Sequence, residues 1–516
     1  MKISYNEKND VDIPIAEELN QNIEVLDALF HNWGDIVKKK FVLQRHGRNL
    51  DIYIIYIDGL TNNEMVERTI THPLLYEWEQ LCERNKDIDD DLFGKALFDS
   101  LFHAQTEAVD LISGQTMQDA VSAVLKGDTA IFVDHAKECM ILSTKKFPTR
   151  SVSEPEKEAG IRGPKDSFIE NFRTNTALLR RRIKDPKLKL EQGEIGERSR
   201  TIYGLMYMED FVYPALLGKV KEKIDSFVID GVFDCGMLEH LLEEKWYSPF
   251  PQIQTTERPD KAASALLEGR IVLVVDNSPE VIILPTTFNT FFQASDDYYN
   301  RFAVGSFARI LRYIAVFITV LLPGLYVAVT CYYPQILPTN FLLAIVGARS
   351  NITFPIVVEV LLMELLFELL REAGIRLPGQ MGNTIGVVGG LIVGQAAVDA
   401  ALVSTIVVIV VALTAIASFA IPNEEFSSTL RLLKFFMIVL GAVWGLYGIF
   451  LGLLILVIHL ASLESFGIPY MMPLTAGSVD GEVEFQDFVF RKPIFAMKER
   501  PLYAMRKVRK RFWKKR

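Results

Sequence analysis

The chain has 516 residues, of which 50% are hydrophobic and 23% charged, with a formal charge of -9 at neutral pH. That length holds one or two soluble domains plus a membrane block, and the acidic balance gives no expectation of a nucleic-acid partner. The four cysteines, Cys82, Cys139, Cys235 and Cys331, lie far apart without CxxC spacing, which speaks against a disulfide framework or a structural zinc site and suits a reducing, cytoplasm-facing domain.

In chain order, residues 1–24 form a polar segment, and Met1 to Leu19 shows no apolar h-region, so no secretory leader is expected. The next 300 or so residues contain an internal duplication. Residues 119–142 (DAVSAVLKGDTAIFVDHAKECMIL) align without a gap to residues 261–284 (KAASALLEGRIVLVVDNSPEVIIL), an offset of 142. Identities include Gly127/Gly269, Val133/Val275, Asp134/Asp276 and Leu142/Leu284. The pattern predicts a helix end, a capping glycine, an apolar strand, a tight turn and a second strand. Earlier in each copy an apolar strand ends in an acid: Ile52 to Asp58 (IYIIYID) and Ile202 to Glu209 (IYGLMYME). Two similar α+β subdomains follow, over 25–145 and 195–295, joined by a linker and helix over 146–194. That helix, Phe168 to Ile183, carries Arg180, Arg181 and Arg182, which read as a solvated helix end favoured by the macrodipole.

Enzyme signatures are missing from the sequence. The seven histidines stand alone, and no GxSxG, GxxxxGK[ST] or strand-borne GxGxxG occurs. Asp58, Asp134, Glu209 and Asp276 at strand ends read as turn formers, so neither a catalytic set nor a cofactor is expected.

From Ile310 to Leu463 the chain is strongly apolar, and residues 305–465 read as an all-α polytopic membrane bundle of about four to six spans. Arg301, Arg309 and Arg312 precede the first span, and a basic tail over 466–516 follows the last, with 12 Lys or Arg in its final 26 residues. Both ends are therefore expected in the cytosol, which requires an even number of crossings. After Pro355 an apolar helix carries Glu359, Glu364, Glu368 and Glu372, the last three on one i, i+4 stripe. A lipid-facing stripe is expensive at about 2.5–3.5 kcal/mol per central carboxylate. Two readings stay open here: a water-lined path that attracts cations, or an interfacial helix beside Arg371 and Arg376. Next, Gly382, Gly386, Gly390 and Gly394 recur at i+4, a ridge for close helix packing. Asp399 reads as a turn residue, Leu402 to Ile421 as a span, and Leu432 to Leu463 as either two spans or one tilted helix, with Gly441, Gly445, Gly448 and Gly452 along it.

Several segments resemble the A subunits of GerA-type spore germinant receptors. They are GIRGPKDSFIENFRTNTALLRRRI (Gly160 to Ile183), GERSRT (Gly196 to Thr201), SPFPQIQTTERPD (Ser248 to Asp260), LLEGRIVLVVDNSP (Leu266 to Pro279), ELLREAGIRLPG (Glu368 to Gly379) and NTIGVVGGLIVGQAAV (Asn383 to Val398). The resemblance implies a protein of the spore inner membrane that works with a transporter-like B subunit and a lipoprotein C subunit. It implies a homo-oligomer, a pentamer, that conducts cations when a nutrient binds, with the germinant contacted chiefly through B. It also tilts the glutamate helix toward the pore, making Glu359, Glu364, Glu368 and Glu372 pore or gating candidates. An amplifying paralogue of the same membrane is the alternative within the family, and a non-conducting anchored sensor is the alternative outside the channel reading.

Overall fold

The computed structural model describes residues 13–45, 48–67, 95–96, 98–99, 111–146, 155, 158, 160, 162–375, 394–475, 487–497, 499–500 and 504–505. In the first half, helix α1 (Leu19–Leu29) precedes strands β1 (Ile36–Arg45), β2 (Arg48–Ile57) and β3 (Leu111–Gly114). Helix α2 (Met117–Leu125) and strands β4 (Thr129–Val133) and β5 (Cys139–Leu142) complete it. The five strands pair antiparallel in the order β1-β2-β4-β5-β3. The second half repeats this with helix α3 (Phe172–Arg182), β6 (Leu188–Ile195), β7 (Thr201–Met208), the helices α4 (Pro214–Asp225) and α5 (Cys235–Leu242), β8 (Gln254–Thr256), α6 (Pro259–Leu267), β9 (Ile271–Val275) and β10 (Val281–Leu284). Its strand order, β6-β7-β9-β10-β8, matches the first sheet position for position.

The duplication is a matter of local chemistry as well as topology. Period-2 alternation splits β2 between two cores: Tyr53, Ile55 and Ile57 face one cluster, and Leu50, Ile52, Ile54 and Tyr56 the other. The central strands β4 and β9 are buried along their whole length, which is why they read as continuous apolar runs. Gly127 and Gly269 end α2 and α6 with φ of +92° and +86°, a region that disfavours any side chain. Two of the four strand-end acids, Asp134 and Asp276, cap helices rather than merely starting turns. Asp134 Oδ1 accepts from the Leu19 amide of α1 (2.9 Å), and its repeat partner Asp276 Oδ1 accepts from the Phe172 amide of α3 (3.2 Å). The second repeat therefore starts at α3. The segment 146–194, assigned from the sequence to a linker and helix, supplies α3 and most of β6, which hold the places of α1 and β1 in the first half.

Arg180 corrects the solvated-end reading of the arginine run. It is buried, and its Nε and Nη2 donate to the two oxygens of Asp35 in the first half at 2.8 Å each. Its guanidinium lies 3.4 Å from the centre of the Trp33 ring, while Trp33 Nε1 donates to the Pro186 carbonyl at 3.0 Å. Arg182 pairs with Asp166. A bidentate, desolvated pair with a stacked indole thus clamps the halves together.

The helical region contains α7 (Phe302–Tyr332), α8 (Thr339–Ala348), α9 (Ile356–Ile375), α10 (Thr405–Phe419) and α11 (Glu424–Ser462). Among the described residues α7 and α11 are long and apolar enough to cross a membrane. Helix α11 is not straight: Gly445 at φ 60°, ψ -140° reverses the chain. A Cβ on Gly452 would stand 2.7 Å from the Met437 sulfur, and one on Gly448 would overlap the Leu440 carbonyl. The two legs, 424–444 and 446–462, therefore lie side by side as a hairpin zipped by glycine, each roughly 25–30 Å long at 1.5 Å per residue. Both hairpin ends return to the soluble part, where the Phe250 ring meets Phe426 at 6.3 Å and His459 at 6.0 Å. Helix α7 packs on the first leg through Gly324 and Gly441, and at the far end Tyr332 donates to the Ala442 carbonyl (2.6 Å). Of the expected glycine ridge, Gly382, Gly386 and Gly390 lie outside the described residues; Gly394 packs near Val408.

Replacing Arg180 with Ala leaves Asp35 buried without its countercharge and is expected to cost about 3–5 kcal/mol. Urea unfolding of the full chain in detergent checks this; a loss below about 1 kcal/mol would place the pair with ordinary surface bridges.

Candidate functional site

Helix α9 presents Glu364 and Glu368 one turn apart toward the first leg of the hairpin. There Lys434 Nζ donates to Glu364 Oε2 at 2.6 Å and to Glu368 Oε1 at 2.8 Å. The Lys434 and Glu364 side chains are only 2% and 1% exposed. The chain of charge continues toward the soluble domain. Arg431 meets Glu368 at 3.5 Å and Glu424 at 3.4 Å, and Arg371 donates to Glu424 at 2.9 Å. Its guanidinium also covers the Phe419 ring at 5.0 Å. Glu364, Glu368 and Glu424 thus alternate with Lys434, Arg431 and Arg371, and the ladder is neutral from end to end.

The other two carboxylates of this helix go elsewhere. Glu359 is fully buried, accepts from Arg349 Nε at 3.1 Å with the Arg349 Nη2 charge at 3.0 Å, and accepts from the Ser404 amide at the start of α10 (3.0 Å). Glu372 lies on the exposed side. Sequence reasoning found the carboxylates and missed Lys434, Arg431 and Arg349, their countercharges. A readable signal existed, since Lys434 is a lone cation in the apolar run LLKFFMIVL.

Glu364 Oε1 is buried and has no hydrogen-bond partner among the described residues. Both carboxylates lie on one helix face, one turn apart, and share the single Lys434 ammonium. No cluster of three or more His, Cys, Asp or Glu side chains suited to a metal occurs among the described residues.

A second set of charges joins the soluble domain to α7. Arg309, fully buried, donates to Asp487 at 2.7 Å and to Asp297 at 3.4 Å, and Arg312 donates to Asp297 at 2.6 Å. Two of the three arginines read as topology signals therefore tie the helix to the protein itself, while Arg301 stays exposed. Where the hairpin enters, Thr255 of β8 donates to Glu425 at 3.2 Å. Close by in α5, burial and then the negative charge of Glu425 push the Glu239 carboxyl up to about 9, with smaller contributions from Glu243, Glu280 and Asp234.

Two outcomes follow from these charges. Lys434→Met is expected to destabilise the helical region by about 3–5 kcal/mol, and adding Glu364→Gln should recover part of that loss. Thermal unfolding of the four proteins of this cycle in detergent measures the coupling, and additive losses would mean that the two groups do not interact. For Glu239 the folded carboxyl stays protonated between its ordinary 4.5 and about 9 while the unfolded one ionises. Its contribution is therefore complete below the ordinary value and disappears as pH climbs toward the raised one. Glu239→Gln is expected to flatten the decline in stability between about pH 5.5 and about pH 8.5, read by denaturant midpoints; an unchanged slope would assign the decline to other groups.

Comparison with known proteins places these features in a family. The model of the Bacillus/Clostridium GerA spore germination protein matches residues 24–503. A Bacillus subtilis (strain 168) protein named uncharacterized membrane protein YfkQ is 38% identical over 492 residues, 95% of this chain and 92% of its own. Spore germination protein KA of the same organism is 36% identical over 487 residues, covering 94% and 87%. Among solved structures, the N-terminal domain of the A subunit of the Bacillus megaterium spore germinant receptor GerK3 matches 53% of this chain and 97% of that domain, at 26% identity and a TM-score of 0.41.

Proposed function

The chain belongs to the GerA family of spore germination proteins, as an A-type member, and we propose that it is the membrane subunit of a nutrient-responsive receptor whose copies together form a cation channel. In this reading the protein is integral to the spore inner membrane, with its two-sheet domain and basic tail in the cytoplasm and six crossings between them. A transporter-like B subunit takes the nutrient, a lipoprotein C subunit completes the receptor, and copies of the A subunit, five by family resemblance, surround the path. No catalytic step is part of it.

The observation that carries the conduction reading is the buried Glu364–Lys434–Glu368 set. Two carboxylates held by one ammonium are costly as anchoring devices, because apolar side chains would hold the same helices together at least as well. They make sense as a latch. With Lys434 in place the carboxylates are occupied, and a shift of the hairpin leg against α9 frees them for a passing cation. Glu359, Glu368 and Glu372 extend the same helix as pore or gating candidates, Glu359 at the far end and Glu372 toward the cytoplasm.

The test is flux of a monovalent cation from liposomes holding the full receptor. Nutrient is expected to open it in the wild type, Glu364→Gln to reduce flux or change selectivity, and Lys434→Met to raise flux without nutrient. Unaltered conductance and gating in both variants would remove the ladder from the mechanism and favour the anchored, non-conducting sensor.

A further inference from the structure

Two sets of exposed aromatic side chains stand where the chain enters and leaves the helical region. The first is Trp246 and Tyr247, 83% and 61% exposed. Their neighbours are fixed to the last turn of the hairpin: Lys245 donates to the Ser462 carbonyl and hydroxyl, and Ser248 Oγ meets His459 Nε2 at 2.9 Å. The second is the strap 487–497, in which Phe490, Ile494 and Phe495 are each more than 60% exposed. Arg491, between them, points the other way and is buried, donating to the Asn300 carbonyl at 2.8 Å, while its own carbonyl accepts from the Ser306 hydroxyl at 3.2 Å. The strap is thus pinned across the first turns of α7, whose Phe302, Val304 and Phe307 are exposed as well.

An aromatic surface held rigid by a buried arginine does not fold away, and in water it would be an aggregation site. We propose that the two sets form one collar seated in the headgroup layer of an anionic bilayer, the rings at the acyl boundary and exposed Arg301 and Lys492 among the headgroups. This rests on reading α7 and the legs of α11 as membrane spans. The occupant is lipid because both sets adjoin helix ends whose outward faces continue apolar, through Leu311, Ile314 and Phe317 on α7 and Val457 and Ile458 on the hairpin. Tryptophan and tyrosine concentrate at that level of a bilayer, with their polar edges toward water. The charge agrees, since 12 of the final 26 residues are Lys or Arg and Glu499 is the one acid among them.

The experiment uses the full chain in liposomes of phosphatidylcholine and phosphatidylglycerol, with bromine placed near the headgroup or deep in the acyl chain of either lipid. The chain has five tryptophans, so Trp246 is read as the difference between wild type and Trp246→Phe; a second probe, Phe495→Trp in the Trp246→Phe background, reads the strap. Shallow bromine is expected to quench both probes several-fold more than deep bromine. Brominated phosphatidylglycerol should exceed brominated phosphatidylcholine, and a double Arg301→Gln, Lys492→Gln variant should narrow the difference at the strap probe. Quenching by aqueous iodide instead of bromolipid, or shielding from both by a second copy of the chain, would overturn the collar. Carbonate extraction of the same liposomes separates the two failures: protein that resists extraction while its probes ignore bromolipid refutes the collar alone, and protein that washes off refutes the spans.

Discussion

An ammonium group far inside an apolar helix bundle is tolerable only if its charge is met at contact distance, and Lys434 meets two. Coulomb attraction at low dielectric and the loss of hydration oppose each other on the same scale, so no such group can be moved singly. This fixes the register of α9 against the first hairpin leg more tightly than the surrounding leucines, which would tolerate a slide. The hairpin depends on that register, and α7 lies against the hairpin through Gly324 and Gly441 where a side chain on either would strike backbone. The helices are consequently held by buried polar contacts, Lys434 with Glu364 and Glu368 foremost, and by one contact of bare backbone.

How much of this was legible in the sequence differs from element to element. The duplication could be read because its central strands and capping glycines are constrained by burial and by φ, which few residue types satisfy. The matching edge strands, β1 and β6, carry no such constraint and could be recognised as equivalent only from strand order. Leu432 to Leu463 was long enough for two spans or one, and Gly445 decides for a reversal by adopting a backbone conformation that composition cannot announce. For the acidic stripe, periodicity identified its members on α9, but not what they face, because their partners lie some 60–70 positions away on a helix with its own period. Arg180 failed for a related reason. A run of three arginines looks like a solvated end, and only the arrival of Asp35 and Trp33 from the other half makes one of them a buried clamp.

The two halves share a topology and differ in what they hold. The second carries α4 and α5 between β7 and β8, and it is this half that receives the hairpin. The first turn of α11 meets the soluble domain through strand β8 of the second sheet.

In that first turn of α11, Glu424 and Glu425 are adjacent, yet Glu424 ends the charge ladder through Arg371 and Arg431, while Glu425 bonds Thr255 of strand β8. A small rotation of this turn cannot improve one contact without straining the other, because both carboxylates belong to the same rigid helix start, capped by Asn423. One capped helix turn thus carries neighbouring side chains that answer to different domains. Strand β8 is thereby connected to Glu368 and Lys434 through Glu425, Glu424 and Arg431 without any intermediate loop.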